Sequence, residues 1–256
     1  MFLVEARNIS KCFYSTTREE VAIPVVENFT LQLREGELVT FFGPNGCGKT
    51  TILGVLAGII EPDAGEVLWN AEVGTAIPLG YVFQNYADTL LPWRTVRSNI
   101  AFPLELRRLP KNERDDKTRN RMEQFGLTEH AAKYVYELSG GLKQLVAIAR
   151  ATVYEPRLLL LDEPFSSLDY SVSRTLWTRF HRFWSGSKVT TVFVSHNVDE
   201  AVFLGDKVYV LSPRPTRIVA EIPVPFGNDR NLGILSSPEF FAIRSAVLNA
   251  FEQGRT

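Results

Sequence analysis

Gly43-Pro44-Asn45-Gly46-Cys47-Gly48-Lys49-Thr50 fits the pattern G-x-x-x-x-G-K-[ST] at every fixed position, and its reading decides the fold. Before it, Leu38-Val39-Thr40-Phe41-Phe42 is a short apolar run; after it, Thr51-Ile52-Leu53 opens a helical stretch. A strand therefore feeds a glycine-rich turn that starts a helix. Successive backbone N–H groups converge there, and the helix dipole adds partial positive charge, so the turn reads as a phosphate cradle. Glycines are required because a Cβ would block phosphate oxygens or forbid positive φ. Lys49 is placed to reach β- and γ-phosphates and Thr50 to ligate Mg2+, with Thr51 continuing the binding turn.

Around this loop the chain has 256 residues, 45% hydrophobic and 22% charged, with a net charge of −1. That composition suits a soluble globular protein and argues against bulk electrostatic binding to nucleic acid. No apolar run approaches the ~20 residues of a membrane-spanning helix, and Met1-Phe2-Leu3-Val4-Glu5 lacks the marks of a signal peptide. The 2 cysteines, Cys12 and Cys47, make no disulfide framework, as expected of a cytosolic chain. Cys47 sits at a helix N-terminus, where a thiol pKa is expected to fall and thiol reagents to inhibit.

Upstream, residues 2–9 read as an extended segment, residues 15–20 as a polar turn, and Phe29, Leu31 and Leu33 alternate as a half-buried strand does. Gly65 to Trp69 forms another alternating strand, so the N-terminal part is antiparallel β. Downstream, Leu79 to Phe83 is a mostly apolar strand ending at Gln84, and helical text runs from about Val96 to Tyr136. Within it, Arg107 to Arg121 carries seven Lys or Arg against three acidic residues. Either it meets anionic lipid or a partner, or it is a solvated helical face; the interspersed acids favour the latter. Leu158-Leu159-Leu160-Leu161 reads as a strand buried on both faces, followed by a helix over about 171–184 and a second buried strand over 190–194. Lys207 to Leu211 adds a further strand. A final amphipathic helix carries Phe240, Ile243, Val247 and Phe251 on one stripe. The fold class is α/β with a mainly parallel sheet.

Ligands of such sheets sit beyond the carboxyl ends of the strands. At those ends stand the glycine-rich loop, Gln84, Asp162-Glu163 and His196. Asp162 is placed to hold Mg2+, and Glu163 to position an attacking water and accept its proton late. Charge neutralisation by Lys49, Mg2+ and backbone donors carries most of the barrier reduction. Gln84 offers its amide oxygen to Mg2+, and His196 can donate to the γ-phosphate or to the backbone near Glu163. Ser139-Gly140-Gly141, opening a helix with Leu142, Leu145, Val146, Ala149 and Val153 on one side, is either a second anion site or an ordinary N-cap.

Taken in order, these stretches resemble the nucleotide-binding subunit of an ABC transporter over nearly the whole chain. Residues 43–50 match Walker A and Gln84 the Q-loop glutamine. Leu138 to Gln144 resembles the signature, Leu158 to Glu163 Walker B with the catalytic glutamate, Ser166-Ser167-Leu168-Asp169 the D-loop, and His196 the switch histidine. Leu142 and Leu145 depart from the signature's frequent residues without removing its serine or glycines. The resemblance implies a single ATPase domain over 1–256: a P-loop NTPase core, an N-terminal antiparallel β subdomain, and an inserted helical subdomain over about 84–156. It implies ATP and Mg2+ as ligands, with Lys49, Gln84, Glu163 and His196 catalytic and Phe13, or its rival Tyr14, stacked on adenine. It implies a head-to-tail dimer in which Ser139-Gly140-Gly141 of one copy meets the ATP of the other. Permease subunits would dock near residues 84–136 at the cytoplasmic face of the inner membrane, with a solute-binding protein acting through them. Leu90 to Val96 and Tyr209 to Pro215 resemble importers of nitrate, sulfonates and taurine. The alternative is a soluble ABC-type ATPase acting on nucleic acid or ribosomes.

Overall fold

A computed structural model describes residues 2–14, 21–70, 79–166 and 168–255, with Tyr86 described through its backbone alone. The polar turn expected at residues 15–20 and Ser167 of the D-loop stretch lie outside the described residues. The chain opens with β1 (Phe2–Tyr14), β2 (Ala22–Arg34), β3 (Leu38–Phe42), α1 (Lys49–Leu56) and β4 (Ala64–Trp69). There follow β5 (Leu79–Val82), α2 (Tyr86–Thr89), α3 (Val96–Leu106), α4 (Lys111–Gln124), α5 (Gly140–Thr152) and β6 (Leu158–Asp162). The last third holds α6 (Tyr170–Ser187), β7 (Thr190–Ser195), α7 (Val198–Leu204), β8 (Lys207–Leu211), β9 (Ile218–Pro223) and α8 (Pro238–Gln253).

These strands form two sheets. The smaller is antiparallel, in the order β2-β1-β4, and the larger runs β5-β6-β7-β3-β8-β9. In the larger sheet every pairing is parallel except that of β9, which closes one edge antiparallel to β8. The four strands β5, β6, β7 and β3 therefore present their carboxyl ends along one edge, which brings Gln84, Glu163, His196 and the glycine-rich loop to the same side. The central strands β3, β6 and β7 are buried at every position. Their side chains alternate between two cores. Leu159, Leu161 and Phe193 pack with the helices α3 to α8, whereas Leu158, Leu160, Val192 and Val194 pack with β1, β2 and α1. Truncating one of these leucines to alanine costs about 2–5 kcal/mol.

The structure lengthens or divides three expected elements. β1 continues past residue 9 to Tyr14, through irregular register around Asn8 (φ 49°), because the Asp63 carboxylate accepts from the Cys12 N–H (2.7 Å) and from Lys11 Nζ (2.6 Å). The helical text over 96–136 divides into α3, α4 and short 3-10 turns at 128–130 and 135–137. Left-handed backbone at Arg108 (φ 56°), Pro110 two residues later and Gly126 (φ 64°) break it. The helix expected at 171–184 extends to Ser187, where Lys188 in the left-handed region (φ 51°) ends it. In α8, Phe240 and Val247 are buried and Phe251 stacks edge-on against Phe42 at 5.3 Å, so the stripe docks on the core.

The basic stretch is largely a solvated face. Arg97 pairs with Asp115 at 3.1 Å, Arg119 with Asp116 at 3.2 Å, and Lys117 with Glu155 at 3.0 Å. Arg121 is the exception: it is buried, with its guanidinium 4.7 Å from the Phe183 ring centroid. No helix among the described residues is long and apolar enough to cross a membrane.

Candidate functional site

The loop after β3 is held from outside. Gly48 caps α1 at φ 128°, a conformation that disfavours a side chain, and a Cβ there would meet Thr216 Oγ1 at 2.8 Å and Val25 Cγ1 at 2.9 Å. Lys49 is buried; its Nζ donates to the carbonyls of Gly43 and Pro44, both at 3.0 Å, and lies 3.4 Å from Glu163 Oε1. Asn45, Gly46, Gly48, Lys49, Thr50, Thr51, Gln84 and Glu163 together line a cleft of about 330 Å³.

Glu163 follows directly on β6, with a left-handed backbone (φ 46°) and an N–H donating to Val194 O at 3.2 Å. This conformation turns its carboxylate toward Lys49 and His196. His196 Nδ1 lies 2.9 Å from Oε2, and Lys49 stands on the other oxygen. The His196 hydrogen bond first, and then Lys49 and the His196 charge, hold the Glu163 carboxyl below its usual range against the opposing effect of burial. Reciprocally, the hydrogen bond to Glu163 raises His196 above its ordinary value. Asp162 is buried; burial pushes its carboxyl up, while a hydrogen bond from the Thr50 side chain opposes the rise.

This donor set fits Mg2+. The Thr50 hydroxyl and the Asp162 carboxylate are hard oxygen ligands already in contact, and the Gln84 amide shares the cleft with Thr50. The backbone cradle likewise fits polyphosphate, since Gly46 at φ 72° and Gly48 at φ 128° hold the loop in backbone conformations that favour glycine.

Other expected residues stand apart. Ser139 caps α5 and Gly140 is exposed, with Gly141 buried against Val172 and Leu176; none of the three lines the cleft. The Ser139 hydroxyl makes no capping hydrogen bond, whereas its carbonyl accepts from Lys143 N at 3.0 Å. Phe13 and Tyr14 are exposed at the end of β1, paired across the sheet with Ile23 and Ala22, and do not line the cleft either.

Cys47 corrects an expectation. Its thiol is buried in the core under the loop, and burial pushes its pKa up; the opposing pull of Lys49 is smaller. The side chain turns inward beside Gly43, so the helix N-terminus does not leave an exposed, activated thiolate.

Two residues of the β8–β9 connection were missed. Arg214 lines the cleft and donates through Nε to Gly46 O, and Thr216 donates through Oγ1 to Cys47 O while its N–H reaches Val25 O at 2.8 Å. Their signal was positional: β8 is the parallel neighbour of β3, so the loop leaving β8 falls beside the loop leaving β3. Glu200 was also missed. It is buried on α7, pushed up to about 7 by burial, and accepts from Trp177 Nε1 at 2.7 Å and from Ser195 Oγ. It thereby anchors the residue before His196.

Residues 26–166 match the ABC transporter family profile. An uncharacterised ABC transporter ATP-binding protein of Methanocaldococcus jannaschii is 39% identical over 248 residues, 96% of this chain and 90% of that protein. The taurine import ATP-binding protein TauB of Escherichia coli O157:H7 is 37% identical over 238 residues, 90% of this chain and 92% of that protein. Among solved structures, a dimeric bacterial ABC transporter cassette superimposes with a TM-score of 0.73 at 26% identity, covering 87% of this chain and 99% of the cassette. The same cassette in a post-hydrolysis state bound to ADP and Pi fits equally well, with a TM-score of 0.73.

Proposed function

The chain belongs to the ABC transporter family, as an ATP-binding subunit with ABC-type ATPase activity, and from that premise we propose that it energises import of a small anion such as nitrate, a sulfonate or taurine. The similarity to a taurine import protein supports the solute class. The observation that carries the mechanism is the Lys49–Glu163–His196 cluster at the mouth of the glycine-rich loop.

In this reading Lys49 exchanges the Gly43 and Pro44 carbonyls for β- and γ-phosphate oxygens, so the cation is held in place before substrate arrives. Its release from Glu163 leaves that carboxylate to orient the attacking water and take its proton late. A carboxylate held low in pKa is a weak base, which assigns Glu163 mainly to positioning. His196 keeps Glu163 aimed and donates toward the γ-phosphate. Thr50, Asp162 and Gln84 would hold Mg2+, which supplies further neutralisation of phosphate charge. Phe13 or Tyr14, both exposed, would stack on adenine.

Ser139 and Gly140 are exposed, so the helix end they open is available to the ATP of a second copy in a head-to-tail dimer. ATP then closes the pair and hydrolysis reopens it. The whole chain acts as one ATPase unit, with residues 84–156 as its helical subdomain. Exposed Phe83, Trp93, Leu106, Tyr134 and Tyr136 support docking of permease subunits near residues 84–136, at the cytoplasmic face of the membrane, with a solute-binding protein acting through them.

Glu163→Gln tests this mechanism. ATP binding should persist, turnover should fall about 10²–10⁴-fold, and ATP should trap a dimer on size-exclusion chromatography. Wild-type turnover in the variant would remove Glu163 from the mechanism.

A further inference from the structure

A second cavity, of about 650 Å³, lies far from the phosphate cleft. Arg157 and Thr190 line it at the amino ends of β6 and β7, whereas the nucleotide cleft lies at the carboxyl ends. A five-residue strand separates the two sites by about 16 Å. The cavity is closed by Arg121 of α4, the segment after α5, and the end of α6.

Its charges do not balance. Glu35 is already paired with Arg157, and Glu155 with Lys117 at 3.0 Å. Arg121, Arg182 and Lys188 also line the cavity, and none of them has a carboxylate at ion-pair distance among the described residues. Lys188 is turned partly aside, donating to Asn228 and lying 4.1 Å from the Trp184 ring centroid. Arg182 is exposed at the rim.

Arg121 is the informative member. It is 8% exposed, and its Nη1 is buried without any hydrogen-bond acceptor. Burial alone pushes it down to about 10, with Glu155 a weaker opposing influence. The face of Phe183 accounts for one side of the guanidinium, but a ring does not replace an oxygen acceptor. A buried cation lacking an acceptor is costly, and such groups mark sites of water or ions. One helical turn earlier, on the same side of α4, the buried Thr118 hydroxyl also lacks a partner.

We propose that this cavity binds a small multivalent anion, carrying carboxylate, sulfate or phosphate groups, between Arg121 and Arg182, with Lys188 adding to the field. The volume exceeds one sulfate, so a ligand with several acidic groups suits it better than a single oxyanion. Because Arg121 belongs to α4 and Arg182 to α6, the bound anion would tie the helical segment to the core. It would do so at the end of α5 opposite Ser139.

The test is calorimetric titration of the full chain, its phosphate loop saturated with ADP, with tricarballylate and with sulfate at ionic strength matched by chloride. Tricarballylate should bind more tightly than sulfate. Arg182→Gln should weaken it at least tenfold and Arg121→Gln should abolish it, while the surface control Arg97→Gln should leave it unchanged. Circular dichroism reports whether each variant folds; Arg182 is exposed, so its variant carries the test if the Arg121 variant does not fold. No binding at millimolar anion, or equal affinity in wild type and Arg182→Gln, overturns the proposal.

Discussion

Two helices of this protein begin in glycine-rich turns, and they differ in what completes them. The turn into α1 is enclosed by its own chain: Thr216 and Val25 pack against Gly48, Arg214 holds Gly46, and Lys49 and Glu163 fill the mouth. The turn into α5 is left open, its Ser139 exposed and its hydroxyl not used for capping. The same backbone chemistry thus appears once as a braced pocket and once as a turn whose first two residues face outward. The difference teaches that a helix N-terminus becomes a selective site only through what surrounds it. In the proposed dimer, the ATP of a second copy completes the turn into α5.

Substitutions can break this contrast, and Gly48→Ala should act most strongly. Its Cβ would strike Thr216 Oγ1 at 2.8 Å in a strained backbone region. Strain and overpacking each cost about 1–3 kcal/mol. ATP binding should be lost and the melting temperature lowered; unchanged nucleotide affinity would show that the bracing is dispensable. Ser139→Ala should come next, slowing hydrolysis about 10–100-fold, the value of a charge-assisted hydrogen bond of about 1.5–3 kcal/mol. Affinity of the isolated subunit for ATP should remain, and its collapse would place Ser139 in its own chain's site instead.

Thr216→Val removes the bond to Cys47 O while nearly keeping the shape, and should cost about 1 kcal/mol of stability in denaturant unfolding. No change would mean that packing at Gly48, and not the hydrogen bond, fixes the loop. The smallest effect concerns the pair at the mouth. His196 is raised by Glu163, so its share of stability is present in full below the usual value of about 6.5 and is lost as pH rises through the raised pKa. Glu163 is depressed, so its share is lost only as pH falls through its lowered pKa. In Glu163→Gln the His196 titration, followed by NMR, should move down toward the ordinary value. A titration that stays put would assign the shift to another neighbour such as Glu200.

The parts of the site legible in the sequence are those set by local spacing or by strand ends. Gly43 to Thr50 specify their own geometry, and the apolar runs before Glu163 and His196 place both at one sheet edge. Arg214 and Thr216 were not legible, because their contacts with Gly46 and Cys47 span 168 and 169 residues and depend on strand order. Cys47 misled because a helix start predicts where the backbone is positive, not which way a small side chain turns. The length of β1 escaped because Asp63, from a distant turn, supplies the bonds that extend it. Gln84 and the phosphate loop line one cleft because both follow strands whose carboxyl ends lie on one side of the sheet.

The position of β3 between β7 and β8 also has a consequence for biosynthesis. The phosphate loop is synthesised before both strands that flank β3 and before the hairpin that braces Gly46 and Cys47, whose Thr216 follows Cys47 by 169 residues. Until Thr216 has emerged, the growing polypeptide holds the loop's sequence without its frame. The nascent chain therefore acquires its nucleotide pocket only once that hairpin has been made, and a product truncated before it would lack the pocket.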